Sequence, residues 1–406
     1  MGDLKDDARE IGARARRIRV RRGLSLEVAA GLVGVSKGYL SMLERGERAF
    51  SRRGLLEDLA AALGASVVDL TGQPYLPGDR ASALALAALP EISVALFDVG
   101  FDDVPDGPVR AVAELAAAAK RANEQAAESR YSSAGTGLGQ LITELHVHAV
   151  AAPGAERRAA LAALVEACVV ASCLARNLGN ADLAVIASVR AQEAALRLGD
   201  PGVGGLAAMA STSALSRLGA RNRAARVAAA ALREVESGSG DTVRLEAAGM
   251  LHLTSAQMAA KDGRRDEAFA HLDAARDLAG RTGERNTLQF SFGPANVRAW
   301  SLSIAVELGE GPGMADRVTS RPDYDRGLST ADRRGALHFD LARANGQSGG
   351  ERDLRAIHHL DTADRIAPQR LRNDPLARDL VRQLHRRSPK PSWELDSLRR
   401  RLGVEA

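Results

Sequence analysis

Between residues 9 and 53 the chain carries twelve basic side chains (Arg9, Arg14, Arg16, Arg17, Arg19, Arg21, Arg22, Lys37, Arg45, Arg48, Arg52 and Arg53) against four glutamates, Glu10, Glu27, Glu44 and Glu47. This local excess of eight positive charges lies in a chain of 406 residues whose net charge is only +4. It is the footprint of a surface that neutralises phosphates. Other reactive side chains are spaced so that they do not cooperate. His146 and His148 are two apart and His358 and His359 adjacent, so on helices neither pair shares a face. Cys168 and Cys173 fit neither a zinc site nor a disulfide framework and read as reduced, buried and structural. Glycine-rich phosphate loops, HExxH, GxSxG and carboxylate pairs beside a base are absent from the sequence. The expectation is therefore no enzyme activity, no cofactor and no metal. A second basic cluster, from Arg365 through Arg401 with Arg378, Arg382, Arg386 and Arg387 at helical spacing, reads as a solvated helix face.

The elements that would hold the first basic cluster are short helices with clear stops. Ile11, Ala15 and Ile18 form one stripe of a helix from about Arg9 to Arg22, which Gly23 ends. Ser25 caps a second helix through Val33, Gly34 breaks the pattern, Val35 plugs the turn, and Ser36 caps a third helix from Lys37 to Arg45. Leu40 and Leu43 give that helix an inner side. Helices over Arg53–Leu63 and Val67–Leu70 would close the core. Two short helices joined by a glycine turn suit a DNA-reading pair.

The stretch RGLSLEVAAGLVGVSKGYLSMLERGERAFS resembles the helix-turn-helix of the xenobiotic-response-element and phage-repressor family, over about 62 residues without a gap. The resemblance implies that Lys37, Gly38 and Met42 face base edges. It implies that Ser25, Tyr39, Ser41, Arg45 and Arg48 grip phosphates of double-stranded DNA, with Ser36 among the DNA-binding residues at the start of the reading helix. It also implies an internal ion pair between Arg19 and Glu44. Leu26 stands where the family usually has a phosphate-binding Gln, and Gly38 and Met42 offer no hydrogen bonds, so direct readout is thin. Lys37 can donate to guanine and Met42 can touch a thymine methyl; the rest falls to phosphate positioning and DNA shape.

Beyond residue 100 the chain repeats a helix, a glycine turn and a second helix that begins with alanine at a fixed offset. Gly179 and Ala184, Gly219 and Ala224, and Gly263 and Ala268 are each five apart, with Ala191, Ala231 and Ala275 seven further on. A last copy falls at Ala356, Leu360, Ala363 and Pro368, and a hidden unit around Gly309 fills the gap before it. The pattern resembles tetratricopeptide repeats, although the spacing of about 44 residues exceeds the usual 34. The fold class expected is all-α: a five-helix domain over 1–73, a connector over 74–108, and a tetratricopeptide-like solenoid for sensing and dimerisation over 109–406. The order of parts, with the FGPANV and IAPQRLRNDPLARDLVRQL runs, resembles the actinobacterial helix-turn-helix and tetratricopeptide regulators.

Counting back six and thirteen residues from the glycine turns selects two inward rows. One holds Cys173, Ser213, Gln257 and Ser303; the other holds Glu166, Leu206, Met250 and Asn296, and a matching count adds His338 and Asn345. Of these, Ser213, Gln257, Asn296, Ser303 and Asn345 are the candidates for a ligand or peptide groove, since amides both donate and accept. The charged start of the chain, and the Glu166 inside its most apolar stretch, point to a cytoplasmic protein, nucleoid-associated when bound to DNA. The leading expectation is a homodimeric regulator at an operator, controlled by a small-molecule or peptide effector. A second reading is an interaction adaptor whose repeats bind a regulatory protein, with DNA binding secondary.

Overall fold

A computed structural model of the chain describes residues 10–237 and 241–404. Arg9, the expected start of the first helix, lies outside them. The described residues form 22 helices and no strand.

The first five helices are α1 (Ile11–Arg21), α2 (Leu26–Val33), α3 (Lys37–Glu44), α4 (Arg53–Ala62) and α5 (Val67–Thr71). Their ends are chemically marked. The Ser25 hydroxyl accepts from the Val28 N–H, Ser36 from Tyr39, and Ser66 from Asp69, each satisfying a donor that the first turn leaves free. Gly34 closes α2 in the left-handed region, φ 70°. At Gly12, a Cβ would sit 2.0 Å from the Leu43 carbonyl, so α1 and α3 approach this closely only because that residue is glycine.

Next come α6 (Arg80–Asp98), α7 (Val112–Ala127), α8 (Tyr131–Gly135) and α9 (Leu138–Ala151). Paired helices follow: α10 (Gly154–Asn177) with α11 (Ala181–Leu198), α12 (Pro201–Leu218) with α13 (Arg221–Glu236), and α14 (Thr242–Lys261) with α15 (Arg265–Thr282). The series continues with α16 (Pro294–Glu307) and α17 (Gly311–Thr319), then α18 (Ala331–Ser348) and α19 (Arg352–Ile366). Gly179, Gly219, Gly263 and Gly309 turn the first four pairs with φ between 71° and 91°, and Ala184, Ala224, Ala268 and Ala356 are fully buried where paired helices meet. The short α20 (Pro368–Arg372), α21 (Pro375–Arg387) and α22 (Trp393–Arg401) complete the chain, α22 packing on α19 and α21.

Two features differ from expectation. Residues 80–98, read as part of a connector, form one helix whose Ile92 and Leu96 are buried in the same core as α9 and α10. The C-terminal arginines are latches rather than a solvated face. Arg378 stacks on the Tyr75 ring at 3.7 Å, Arg386 donates to the Gly46 carbonyl, and Arg387 pairs with Asp353. By length and composition α6 and α10 are also long and apolar enough to cross a membrane; 39% of that apolar window is buried inside the protein in α6 and 72% in α10.

Candidate nucleic-acid interface and the repeat interior

On α3 the outer face is open. Lys37 and Gly38 are exposed, a Cβ built on Gly38 would meet nothing within 4 Å, and Ser41 and Met42 are half-buried beside them. Among the described residues Lys37 has only a loose surface contact with Glu27, 3.6 Å away. The hydroxyls of Ser25 and Ser36 are engaged as helix caps. Arg45 is exposed, pairs with Glu47 and donates to Ser41. Tyr39 and Arg48 sit differently: they share a crevice with Gln347, Leu380 and Gln383 of the repeat region, and Arg48 points its Nη1 to the Gln347 carbonyl. Arg16, Arg17 and Arg21 are exposed on α1, so the basic surface extends beyond α3.

Behind α3, Arg19 and Glu44 form a two-bond pair, Nε to Oε1 at 2.6 Å and Nη2 to Oε2 at 2.8 Å, while Nη1 reaches the Leu24 carbonyl at 2.9 Å. The bonds to Glu44 raise the Arg19 pKa, and the pair ties α1 to the end of α3. Such a fork fixes geometry more than it adds net stability.

The five-helix unit is docked on the row of glycine turns. Its α4 is the docking element. Glu307, at the end of α16, accepts the backbone N–H groups of Arg53 and Gly54 at 3.1 Å, and so caps α4 from 253 residues away. Burial pushes the Glu307 carboxyl up, but Arg343, Lys261 and the Gly54 N–H outweigh it and hold it below the usual carboxylate range. Arg53 pairs with Asp374, and Glu57 receives Lys261 at 2.7 Å and Arg221 at 2.8 Å. Buried Arg343 joins Glu307, Asp340 and the Ser51 carbonyl. Asp379 accepts the Phe50 N–H at 2.7 Å, and burial raises its carboxyl to about 6. Apolar packing runs through the same contact: Phe50, Leu55 and Leu59 share one core with Phe339, Leu376 and Leu380.

Inside the repeat region is a cavity of about 190 Å³. All four residues of one inward row, Cys173, Ser213, Gln257 and Ser303, line it, and Gln257 donates to Ser303 at 3.1 Å. Of the second row only Met250 does. Asn296 is buried just behind, holding the Phe290 carbonyl and the Arg333 Nε. Asn345 lies elsewhere, bonded to the Leu341 carbonyl on its own helix and to Arg352, so it does not share a groove with Gln257. His338 is buried beside His359. Cys168 is buried, and burial raises its thiol to about 12. Arg53 of α4 also lines the cavity, so this space touches both parts of the chain.

The docking residues and the cavity arginines had no sequence signal beyond being charges inside otherwise apolar helices. Glu307 ends the run SLSIAVE, and Arg343 sits in FDLARAN. Arg343 meets Glu307 from 36 residues away and Ser51 from 292, and Arg53 meets Asp374 from 321.

Residues 10–71 match a protein family described as a helix-turn-helix domain. This span coincides with α1–α5 and identifies a helix-turn-helix DNA-binding domain. No curated protein and no solved structure matches the chain.

Proposed function

We propose that the protein is a sequence-specific transcription regulator of the xenobiotic-response-element type, non-enzymatic and cytoplasmic, which binds an operator as a homodimer and whose tetratricopeptide-like repeats sense a small molecule or peptide. The observation that carries this reading is the open face of α3, at Lys37 and Gly38, within a span that matches the helix-turn-helix domain. Dimerisation belongs to the reading because one short helix discriminates weakly alone, whereas two on a dyad read half-sites about 34 to 36 Å apart. Sensing is supported by the cavity that Ser213, Gln257 and Ser303 share with Arg53 of α4. An occupant that favours one arrangement of α4 over another changes DNA affinity by its own ratio of affinities for the two arrangements.

The experiment is selection of bound genomic DNA followed by footprinting, with two variants. Lys37→Ala is expected to relax base preference while affinity for random DNA holds. Arg45→Ala is expected to weaken every sequence alike and to lower the salt slope by about 0.9. Footprints without a preferred sequence, or equal loss of discrimination in both variants, would overturn the reading.

A further inference from the structure

Seven cationic side chains line the interior cavity, and only two carboxylates, Asp332 and Asp340, line it with them. Four of the cations are matched: Arg53 by Asp374, Lys261 by Glu57, Arg343 by Glu307 and Asp340, and Arg370 by Asp332. Arg176, Arg217 and Arg333 have no ion pair among the described residues. Arg333 donates to Asn296 and lies over the Trp300 ring at 5.1 Å. Arg176 has only a long contact to the Cys173 sulfur, 4.0 Å. Arg217 makes no hydrogen bond at all among the described residues.

Arg217 is enclosed by protein yet keeps part of its surface against the cavity space. Burial disfavours its charge and Arg53 and Arg176 repel it, against attraction from Asp374 and Glu57, and the balance lowers its pKa; Arg333 is likewise lowered, chiefly by burial, with Asp332 and Asp340 attracting it and Arg370 and Arg176 repelling it. A guanidinium does not escape by losing its proton. Enclosed cations of this kind are costly unless an anion joins them. A second orphan lines the same cavity: the Trp300 Nε1 is buried with no acceptor. All the unmet groups are donors. Met209, Met250, Met258 and Phe290 supply apolar lining, beside the neutral polar side chains of Asn123, Ser213, Gln257, Gln289 and Ser303. A dry cavity of about 150 Å³ admits benzene, so 190 Å³ leaves room for one ring and a charged group.

We propose that this cavity binds an oxyanion, carboxylate or phosphate, carried on a small aromatic or aliphatic body, with Arg217 and Arg176 holding the anion and Met209, Met250 and Trp300 holding the body. The proposal deepens the sensor reading above and rests on it for any consequence at DNA. Arg53 gives that consequence a route, because it lines the cavity while its own N–H opens α4 on Glu307.

The test uses the full chain without DNA, carrying Trp393→Phe. Trp393 is 73% exposed, so its removal leaves Trp300 as the reporter. Benzoate, phenyl phosphate, inorganic phosphate and neutral benzyl alcohol are titrated in chloride-free buffer while Trp300 emission and melting temperature are followed. Saturable binding of benzoate or phenyl phosphate, at least about tenfold tighter than benzyl alcohol, is expected. The tighter of the two distinguishes a carboxylate from a phosphate ligand. Arg217→Met is expected to melt no lower than the parent without probe, since it removes an unmatched cation, yet to bind the anion at least about tenfold more weakly. Arg176→Gln supplies the same comparison should Arg217→Met not fold. Benzyl alcohol binding as well as benzoate, undiminished binding in the arginine variants, or no response to any probe would overturn the site. Anion binding that leaves operator affinity unchanged would instead retain the site and overturn the sensor reading.

Discussion

Arg19 and Glu44 are 11% and 5% exposed, so removing either strands the other's charge in a small core. Arg19→Ala or Glu44→Ala is therefore expected to cost about 3 to 5 kcal/mol, read by chemical denaturation, with Arg19→Lys intermediate because one bond of the fork is lost. Undiminished stability in both alanine variants would mean that the pair contributes nothing. Asp379 behaves in the opposite sense. Its carboxyl is raised from 3.8 to about 6 in the folded protein, chiefly by burial, against the Phe50 N–H, Arg382 and Arg386 and with Glu10 adding to the rise. A raised pKa contributes stability that is complete below 3.8 and is lost as pH climbs through about 6. Asp379→Asn keeps an acceptor for Phe50 without the charge. It is expected to be more stable than the parent above pH 7, by up to about 3 kcal/mol, with the gap closing toward pH 4. A melting-temperature difference that does not vary with pH would refute this.

At the scale of the element, α4 is a helix whose N-terminus is completed by a carboxylate from another part of the chain. Glu307→Ala frees two N–H groups and deprives Arg343, itself 2% exposed, of a partner. A loss of about 3 to 5 kcal/mol is expected, and a smaller loss, about 1.5 to 3 kcal/mol, for Glu307→Gln, which keeps an acceptor but not the charge. Because this carboxyl is held low, its contribution is present above about 4.5 and is lost as pH falls below it. Gly54→Ala separates propensity from packing. Alanine favours a helix by about 1 kcal/mol, but here its Cβ would lie 2.8 Å from the Lys261 carbonyl, a backbone atom. The close approach wins, so the melting temperature is expected to fall rather than rise.

Across the whole molecule the helix-turn-helix domain and the repeats share a core and a charged seam. A segment spanning residues 1–75, once cut free, loses Glu307 at the start of α4, Asp379 at Phe50, and the cover of Phe339, Leu376 and Leu380. It is expected to melt below the full chain, and the full chain to show one transition by both calorimetry and helix content. An excised domain as stable as the intact protein would show that the seam adds nothing. The helix-turn-helix was legible in the sequence because its determinants are local: Ser25 and Ser36 meet N–H groups three residues on, and Gly34 supplies a left-handed turn. The repeat turns were legible for the same reason, and one inward row followed from counting along a helix. Asn345 departs from that count although Asp332, Arg333, Asp340 and Arg343 of the same helix line the cavity, because its amide is absorbed by the Leu341 carbonyl of its own helix and by Arg352. The C-terminal arginines had helical spacing whether they faced water or Gly46 and Tyr75. By itself, then, the sequence determined the short helices, their caps and the glycine turns, all of which depend on contacts within a few residues. Only the tertiary structure decided which of many arginines meet a carboxylate, that α4 is capped by Glu307, and that Arg176 and Arg217 line the cavity without an ion pair among the described residues, because those outcomes depend on how the stacked pairs bring residues far apart in sequence into one low-dielectric interior.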